Sequence, residues 1–152
     1  MDKYTDMCGA LSALVAGIRY ETANLANTSA LLVQYMDRLN WAGFYKLTDG
    51  QLVLGPFQGK PACIMIPLGK GVCGTAAASG RTVLVEDVHN FPGHIACDSA
   101  SNSEIVIPLT VNGTLWGVLD LDSPVTGRFS DEDRRGLEAF AEILEDALAR
   151  CV

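Results

Sequence analysis

Apolar residues follow a helical period near the amino terminus and a strand period in the middle of the chain. In the first forty residues they recur at intervals of seven, four and three, at Leu25, Leu32, Met36 and Leu39. This spacing predicts either two helices or one broken helix. From Trp41 onward the period changes to two, which predicts strands.

Two β-hairpins are predicted, over residues 41–57 and 104–122, from turn residues that lie between period-two segments. Their turns are Thr48-Asp49-Gly50 and Asn112-Gly113, and Asn-Gly is the preferred pair where both turn residues need a positive φ angle. Pro108 cannot donate a backbone hydrogen bond. Its strand is therefore expected to lie at a sheet edge or to contain a bulge.

Between the hairpins the sequence predicts a short strand, a brief alanine-rich helix, another short strand and a long polar loop, over residues 63–68, 69–80, 81–85 and 86–103. A loop of this length is more often functional than a simple connection. After the second hairpin, Ser130 to Asp133 form a capping-box pattern that starts an amphipathic helix. The apolar stripe of that helix comprises Leu137, Phe140, Ala141, Leu144 and Leu148.

Hairpin-connected strands with helices at both ends of the chain are typical of an α+β fold. We predict a central antiparallel sheet with the N- and C-terminal helices packed on one face and a ligand pocket on the other. A length of 152 residues suits a single domain spanning residues 1–152.

The composition excludes several classes of partner and compartment. A net charge of -7 disfavours binding to nucleic acid or to an anionic membrane surface, and no apolar stretch is long enough to span a bilayer. The five cysteines are odd in number and widely spaced, unlike those of a secreted disulfide scaffold. We therefore expect a cytoplasmic protein with reduced thiols.

Two carboxylates lie two residues apart on the last predicted strand. Strand geometry places Asp120 and Asp122 on one face together with Trp116 and Val118, with the intervening residues pointing the other way. Glu104 on the partner strand is positioned to join them. A solvated sheet face is the alternative interpretation of this cluster.

Aromatic residues alternate with small ones on the first predicted strand. Trp41, Gly43 and Tyr45 share one face, so two rings flank a gap. This arrangement suits a binding wall, although a pair of this kind is also common in a core.

The glycines of Gly69-Lys70-Gly71-Val72-Cys73-Gly74 match a dinucleotide-binding pattern, but the repeated strand-helix-strand units of that fold are missing from the sequence. We interpret them as a tight turn into a helix. The free amides at this helix start are a candidate anion site, and the helix dipole is expected to lower the pKa of Cys73.

The remaining thiols suggest redox chemistry rather than metal binding. The sequence has no C-x-x-C pair, and His94 with Cys97 supplies at most two ligands, so neither a metal site nor another cofactor is predicted. Cys97 lies in a polar loop with His94, Asp98, Ser99 and Ser101, where an inert buried thiol is not expected.

Five segments together resemble the free methionine-(R)-sulfoxide reductases, a family of GAF-domain enzymes: residues 40–45, 54–59, 69–74, 94–106 and 117–123. The most specific feature is the spacing of three cysteines, Cys63, Cys73 and Cys97. The resemblance covers nearly the whole chain and implies a GAF fold.

The resemblance also implies an activity, the thioredoxin-dependent reduction of free L-methionine-(R)-sulfoxide to L-methionine. By similarity, Cys97 is the nucleophile that becomes a sulfenic acid. Cys63 is the first choice and Cys73 the second for the resolving cysteine, whose disulfide with Cys97 thioredoxin reduces. His94 or loop amides are candidates to activate Cys97.

For the other site residues we hypothesise that Glu104 and Asp122 serve the sulfoxide end of the substrate and that Asp120 binds its ammonium group. Trp41 and Tyr45 are expected to wall the site around the thioether methyl group. The alternatives are a non-catalytic GAF module that binds a small molecule and a peroxide-responsive thiol protein. Related proteins suggest a homodimer.

Overall fold

The computed structural model describes residues 2–95 and 100–152. Within these residues the chain forms, in order, α1 (Lys3–Val15), α2 (Glu21–Tyr35), β1 (Trp41–Thr48), β2 (Gln51–Gly59), β3 (Met65–Pro67), α3 (Gly71–Ser79), β4 (Val83–Val85), β5 (Ser103–Val111), β6 (Thr114–Ser123) and α4 (Asp131–Ala149). A single 3-10 turn at Val88–Asn90 follows β4.

The strands form one antiparallel sheet in the order β3-β2-β1-β6-β5-β4. Both predicted hairpins are present, β1-β2 and β5-β6. Asn112 and Gly113 have φ angles of 51° and 78°, which are the positive values that a tight hairpin turn requires. The central pair β1-β6 joins the two hairpins into a continuous sheet.

The three longer helices pack on one face of the sheet. α1 contacts α4 and α2, while α2 lies against β1 and β2 and α4 lies against β5. The apolar stripes of these helices and the apolar residues on the facing side of the sheet form the larger core. It includes Met7, Leu11, Leu32, Phe44, Ile107, Leu119, Leu137, Phe140 and Leu144. The capping box predicted for α4 is present, because the Ser130 and Asp133 side chains each accept a backbone N–H from the other residue. The α+β fold prediction is thus confirmed.

Helices of the described chain are all too short or too polar to cross a membrane.

A second apolar cluster lies on the opposite face, beneath α3. It comprises Trp41, Tyr45, Leu52, Ile66, Val72, Cys73, Ala76, Ala77, Val85, Val88, Val106 and Val118. α3 contacts β5, β6, β3 and β4, so this short helix covers only part of the face. The remaining space is available for a site.

The second hairpin departs from strict alternation. The pairing register shifts between Leu109 and Thr110, opposite Gly117 and Leu115, so Trp116 is the extra residue of a bulge. The ring of Trp116 consequently packs with the helix-face core, and the prediction that it shares a face with Asp120 is wrong. The bulge is thus in β6 and not in the strand that contains Pro108. Pro108 pairs with Val118 on one side and lies beyond the pairing of β5 with β4, which ends at Val106, so it occupies a locally unpaired edge of β5 in the described sheet.

A buried arginine joins the loops at one end of the helix layer. The Arg128 side chain is 3% exposed, and its Nη1 and Nη2 atoms lie 3.3 Å from Asp133 Oδ2 and 3.2 Å from Asp37 Oδ1, respectively. Tyr4 Oη donates to the other Asp133 oxygen at 2.6 Å. Three segments that are distant in sequence are therefore tied together by one charged network.

Candidate active site

A cavity opens on the sheet face that α1, α2 and α4 leave free. β1 supplies Trp41 and Tyr45 to its lining, β5 and β6 supply three carboxyl groups, and α3 supplies its first residues. The connecting segments add Pro61, Ala62, His94, Ile95 and Ser101. The cavity is thus formed by adjacent hydrogen-bonded strands on one side and by helix and loop residues on the other.

Stacked aromatic rings form one wall of the cavity. The Trp41 and Tyr45 ring centroids are 5.8 Å apart, and the Phe57 ring stacks on Trp41 at 5.1 Å. Gly43 makes this packing possible, because a Cβ atom there would lie 2.3 Å from the Phe57 Cβ. The two aromatic rings of β1 therefore stack on each other, and Phe57 of β2 adds to the stack at Trp41, a contact that the alternation of β1 alone does not predict.

Hydrogen bonds fix both polar ends of this aromatic wall. Trp41 Nε1 donates to the Lys60 carbonyl oxygen at 3.2 Å, and Tyr45 Oη donates to the Cys63 carbonyl oxygen at 3.0 Å. Burial, followed by the nearby charge of Asp120, raises the pKa of Tyr45, so the hydroxyl keeps its proton. The wall is thereby attached to the segment that carries Cys63.

Three carboxyl groups meet on the sheet side of the cavity. Glu104 of β5 pairs directly with Asp122 of β6, and Asp120 lies one pleat along the same face. Glu104 and Asp120 are 7% and 5% exposed, and Asp122 is half-buried. The structure therefore brings together the three acids that the sequence predicted, inside the molecule rather than on a solvated face.

Burial and mutual repulsion keep a proton within this cluster. Burial raises the pKa of Glu104 well above its ordinary value, and the charges of Asp120 and Asp122 raise it further. The pKa of Asp120 is also raised by burial, but hydrogen bonds from Glu104 and Cys73 oppose that effect. Burial and neighbouring charge therefore favour the protonated form of Glu104 more than that of Asp120.

One buried carboxylate oxygen is left unsatisfied. Asp120 Oδ1 has no hydrogen-bond partner among the described residues. An unpaired buried acceptor costs about 1–3 kcal/mol, and more when it is charged. A cationic or N–H donor that entered the cavity would remove this cost.

Cys73 is a free thiol in direct contact with the acid cluster. It is 4% exposed, and its Sγ donates to Glu104 Oε2 at 4.0 Å. Burial raises the pKa of Cys73 well above its ordinary value, and the charges of Asp120 and Glu104 add to the effect. The prediction that the helix dipole lowers this pKa is therefore wrong, because desolvation and two carboxyl neighbours outweigh the partial charge of the α3 terminus.

The other two cysteines of the triplet are Cys63 and Cys97, of which the structure describes Cys63. Cys63 is half-buried between β2 and β3 and packs against the apolar cluster beneath α3. Cys97 lies outside the described residues. His94 lines the cavity, and burial lowers its pKa, which keeps the ring neutral at pH 7.

The start of α3 faces the cavity with its amides uncapped. Gly71, Val72 and Cys73 line the cavity, and no side chain of the described residues makes a capping hydrogen bond at Lys70. Backbone N–H groups in the first turn of a helix attract anions. The predicted anion site therefore lies beside the acid cluster.

Ser101, which the sequence placed in the polar loop around Cys97 without a role in the site, lines the cavity. Its Oγ accepts a hydrogen bond from Asn40 Nδ2 at 3.0 Å, and the Asn40 backbone N–H donates to the Asp122 carbonyl oxygen at 3.0 Å. The sequence shows that this loop is polar, but the contact between Ser101 and Asn40 depends on the tertiary fold.

The fold and the site define the class of this protein. A model of the GAF domain family matches residues 10–148. A protein of Escherichia coli strain K12 named free methionine-R-sulfoxide reductase is 58% identical over 146 residues, which cover 96% of this chain and 88% of the relative.

Two solved structures agree with this assignment. The reduced form of the fRMsr of Staphylococcus aureus has a TM-score of 0.94 and 51% identity, covering 96% of this chain and 95% of that one. The free methionine-R-sulfoxide reductase of Neisseria meningitidis, solved in complex with its substrate, has a TM-score of 0.94 and 44% identity, covering 99% and 92%. The chain belongs to the GAF domain family and, within it, to the free methionine-R-sulfoxide reductase family, which confirms the resemblance.

Proposed function

We propose that this protein reduces free L-methionine-(R)-sulfoxide to L-methionine, with Cys97 as the nucleophile and thioredoxin as the external reductant. The observation that carries the proposal is the cavity, in which the buried acid cluster lies beside stacked aromatic rings on the same sheet face. The similarity of this chain to proteins named for this activity supports the same substrate. The reaction requires no bound cofactor, and the cytoplasm, where thioredoxin keeps thiols reduced, suits it.

Each end of a free amino acid has a counterpart in the cavity. Asp120 Oδ1 is a buried acceptor without a partner among the described residues, which suits an ammonium group. The uncapped first turn of α3 suits a carboxylate. Trp41 and Tyr45 offer apolar faces to the thioether methyl group. A site that uses both charged termini excludes methionine sulfoxide within a peptide.

The chemistry needs protons, and Glu104 is positioned to provide one. In the proposed reaction the Cys97 thiolate attacks the sulfoxide sulfur, and the oxygen passes to the cysteine sulfur as a sulfenic acid while methionine leaves. Protonation of the sulfoxide oxygen assists this transfer. Burial and neighbouring charge raise the pKa of Glu104 and favour its protonated form, which is able to donate. Asp122 is adjacent on β6 and can share in that role.

The second half-reaction uses another thiol. The resolving thiol attacks the sulfenic sulfur, a disulfide forms and water leaves, after which the thioredoxin dithiol reduces the disulfide. Cys63 remains our first choice. It is less buried than Cys73, and it is not one of the free thiols of the described residues, which are Cys8, Cys73 and Cys151. The raised pKa of Cys73 disfavours the thiolate that attack requires.

A thioredoxin-coupled assay on the separate epimers of free methionine sulfoxide tests the proposal. The wild-type protein is expected to form methionine from the R epimer, and Cys97→Ser to form none. N-acetylated methionine-(R)-sulfoxide is expected to remain unreduced, because it lacks the ammonium group. Efficient turnover of the acetylated compound would contradict the assigned binding mode.

Two further results would each favour a different function over the proposed one. Saturable binding of the free sulfoxide without product would favour a non-catalytic sensor, and equal reaction with both epimers and hydrogen peroxide would favour a peroxide-responsive protein. Disulfide mapping after one turnover in Cys63→Ser and Cys73→Ser identifies the resolving residue. Sedimentation of the reduced protein tests the expected homodimer.

A further inference from the structure

Three buried side chains in the cavity present ligand atoms for a metal ion. The Cys73 sulfur and one carboxylate oxygen each of Glu104 and Asp120 all lie within 4.8 Å of one another. They come from α3, β5 and β6, so they surround a common point instead of following one strand. One sulfur and two carboxylate oxygens form a ligand set that Zn²⁺ accepts.

A second observation points to a cation at the same place. Asp120 lines the cavity and is 5% exposed, yet its Oδ1 has no partner among the described residues. Lysine and arginine are missing from the residues that line the described cavity. The cluster therefore holds negative charge with no protein cation beside it in that lining.

We propose that the reduced protein binds one Zn²⁺ ion through Cys73, Glu104 and Asp120, and that the bound ion blocks the cavity. On binding, the thiol proton and the carboxyl proton leave to solvent. This assignment differs from the set rejected from the sequence, which combined cysteines with His94, because carboxylates from two neighbouring strands replace the missing ligands.

The dimensions of the cluster suit this ion after a small adjustment. Tetrahedral zinc with bonds of about 2.3 Å to sulfur and 2.0 Å to oxygen holds those ligands about 3.5 Å apart. Cys73 Sγ and Glu104 Oε2 are 4.0 Å apart, so side-chain torsions must close about half an ångström. The cavity volume of about 40 Å³ leaves room for the water that completes the coordination.

The consequence for activity rests on the proposed function, whereas the binding itself does not. Zinc would occupy Asp120, which we assign to the substrate ammonium, and would remove the Glu104 proton. Free methionine sulfoxide and Zn²⁺ should therefore compete. The ion would act as an inhibitor of a reaction that needs no metal.

Metal binding is measured directly by titrating Zn²⁺ into reduced, metal-free protein against a chromophoric chelator. We expect one ion per chain, with binding weakened at least about 100-fold in Cys73→Ser and at least about tenfold in Asp120→Asn. Cys63→Ser and Cys151→Ser are the matched thiol controls and should bind as the wild type does. Tight binding retained by Cys73→Ser would overturn the site, as would failure of the wild type to bind one ion.

Cobalt substitution identifies the ligands in the wild-type protein, so the result does not depend on a variant folding. The near-ultraviolet thiolate-to-Co²⁺ band should have the intensity of a single thiolate and should be lost on adding excess Zn²⁺. A two-thiolate intensity would assign the ion to a cysteine pair instead and refute the proposal. Thermal melting shows whether each variant is folded. If Cys73→Ser is unfolded, Cys73→Ala replaces it in the titration.

Steady-state kinetics separate the two proposals. Competitive inhibition by Zn²⁺ against free methionine sulfoxide supports both of them. One-to-one binding by a protein that has no reductase activity would retain the metal site and remove the proposed function. Activity that is insensitive to Zn²⁺ at concentrations that saturate the site would refute the blocking role.

Discussion

Replacement of Glu104 by glutamine tests whether a buried neutral acid drives the proposed reaction. Glutamine has nearly the same shape and still donates a hydrogen bond, but it cannot transfer a proton. Loss of a general acid typically lowers a rate by about 10²- to 10⁴-fold. We expect kcat/KM in the coupled assay to fall by that factor. The wild-type rate should also decline at high pH as Glu104 loses its proton, and the residual activity of Glu104→Gln should lack this decline.

The same substitution has a predictable effect on stability. An ordinary glutamate titrates near 4.5, and burial raises the pKa of Glu104 well above that in the folded chain. Between these two values the folded state holds a proton that the unfolded state has released. Wild-type stability therefore falls as pH rises through this window, by at most about 1.4 kcal/mol per pH unit for this one proton.

Urea unfolding of reduced protein at half-unit steps from pH 5 to 8 measures this linkage. Relative to the wild type, Glu104→Gln should gain stability as pH rises, reaching about 2–3 kcal/mol by pH 7 if the folded-state pKa exceeds 7. Glu142→Gln, at an exposed position of α4, is the matched control and should run parallel to the wild type. Parallel curves for Glu104→Gln would show that Glu104 is ionised in the folded protein and is not the proton donor.

Three other substitutions probe separate parts of the structure. Asp120→Asn should raise KM for the free sulfoxide about 10- to 150-fold with a smaller change in kcat, because a charge-assisted hydrogen bond contributes about 1.5–3 kcal/mol. Steady-state kinetics measure KM and kcat separately, and an unchanged KM would contradict the ammonium assignment. Gly43→Ala should cost about 1–3 kcal/mol, since its Cβ would lie 2.3 Å from the Phe57 Cβ; an unchanged urea midpoint would contradict this packing. Arg128→Ala should cost about 3–5 kcal/mol by breaking a buried ion pair, whereas Arg134→Ala on the α4 surface should lower the melting temperature far less.

Local patterns predicted much of the fold because each depended on neighbouring residues. The Asn112-Gly113 turn, the capping box at Ser130 and the period of the α4 stripe are determined by backbone conformation and the burial of one face. The end of α2 was less predictable. The stripe continues to Leu39, but the helix ends at Tyr35, and the apolar residues beyond it are still drawn into the core.

The site was predictable in its membership more than in its electrostatics. Alternation along β6 placed Asp120 and Asp122 together, and the hairpin register brought Glu104 beside them. The pKa of Cys73 could not be predicted in the same way, because it depends on how deeply α3 is buried and on how closely the acids approach its sulfur. The bulge at Trp116 likewise arises from pairing with β5, and the alternation of β6 gives no sign of it.

The division between sheet and connecting segments has a consequence for how such a protein can change. Trp41, Tyr45 and the acids belong to β1, β5 and β6, of which β6 pairs with both of the others, whereas Cys63 lies between β2 and β3. In the function that we propose, substrate recognition and thiol chemistry would therefore belong to separable parts of one polypeptide. Mutation of Cys63 and Cys97 would leave the aromatic residues and the acids of the cavity in place. An ancestral reductase could therefore become a protein that only binds the amino acid, or the reverse, without a change in its core.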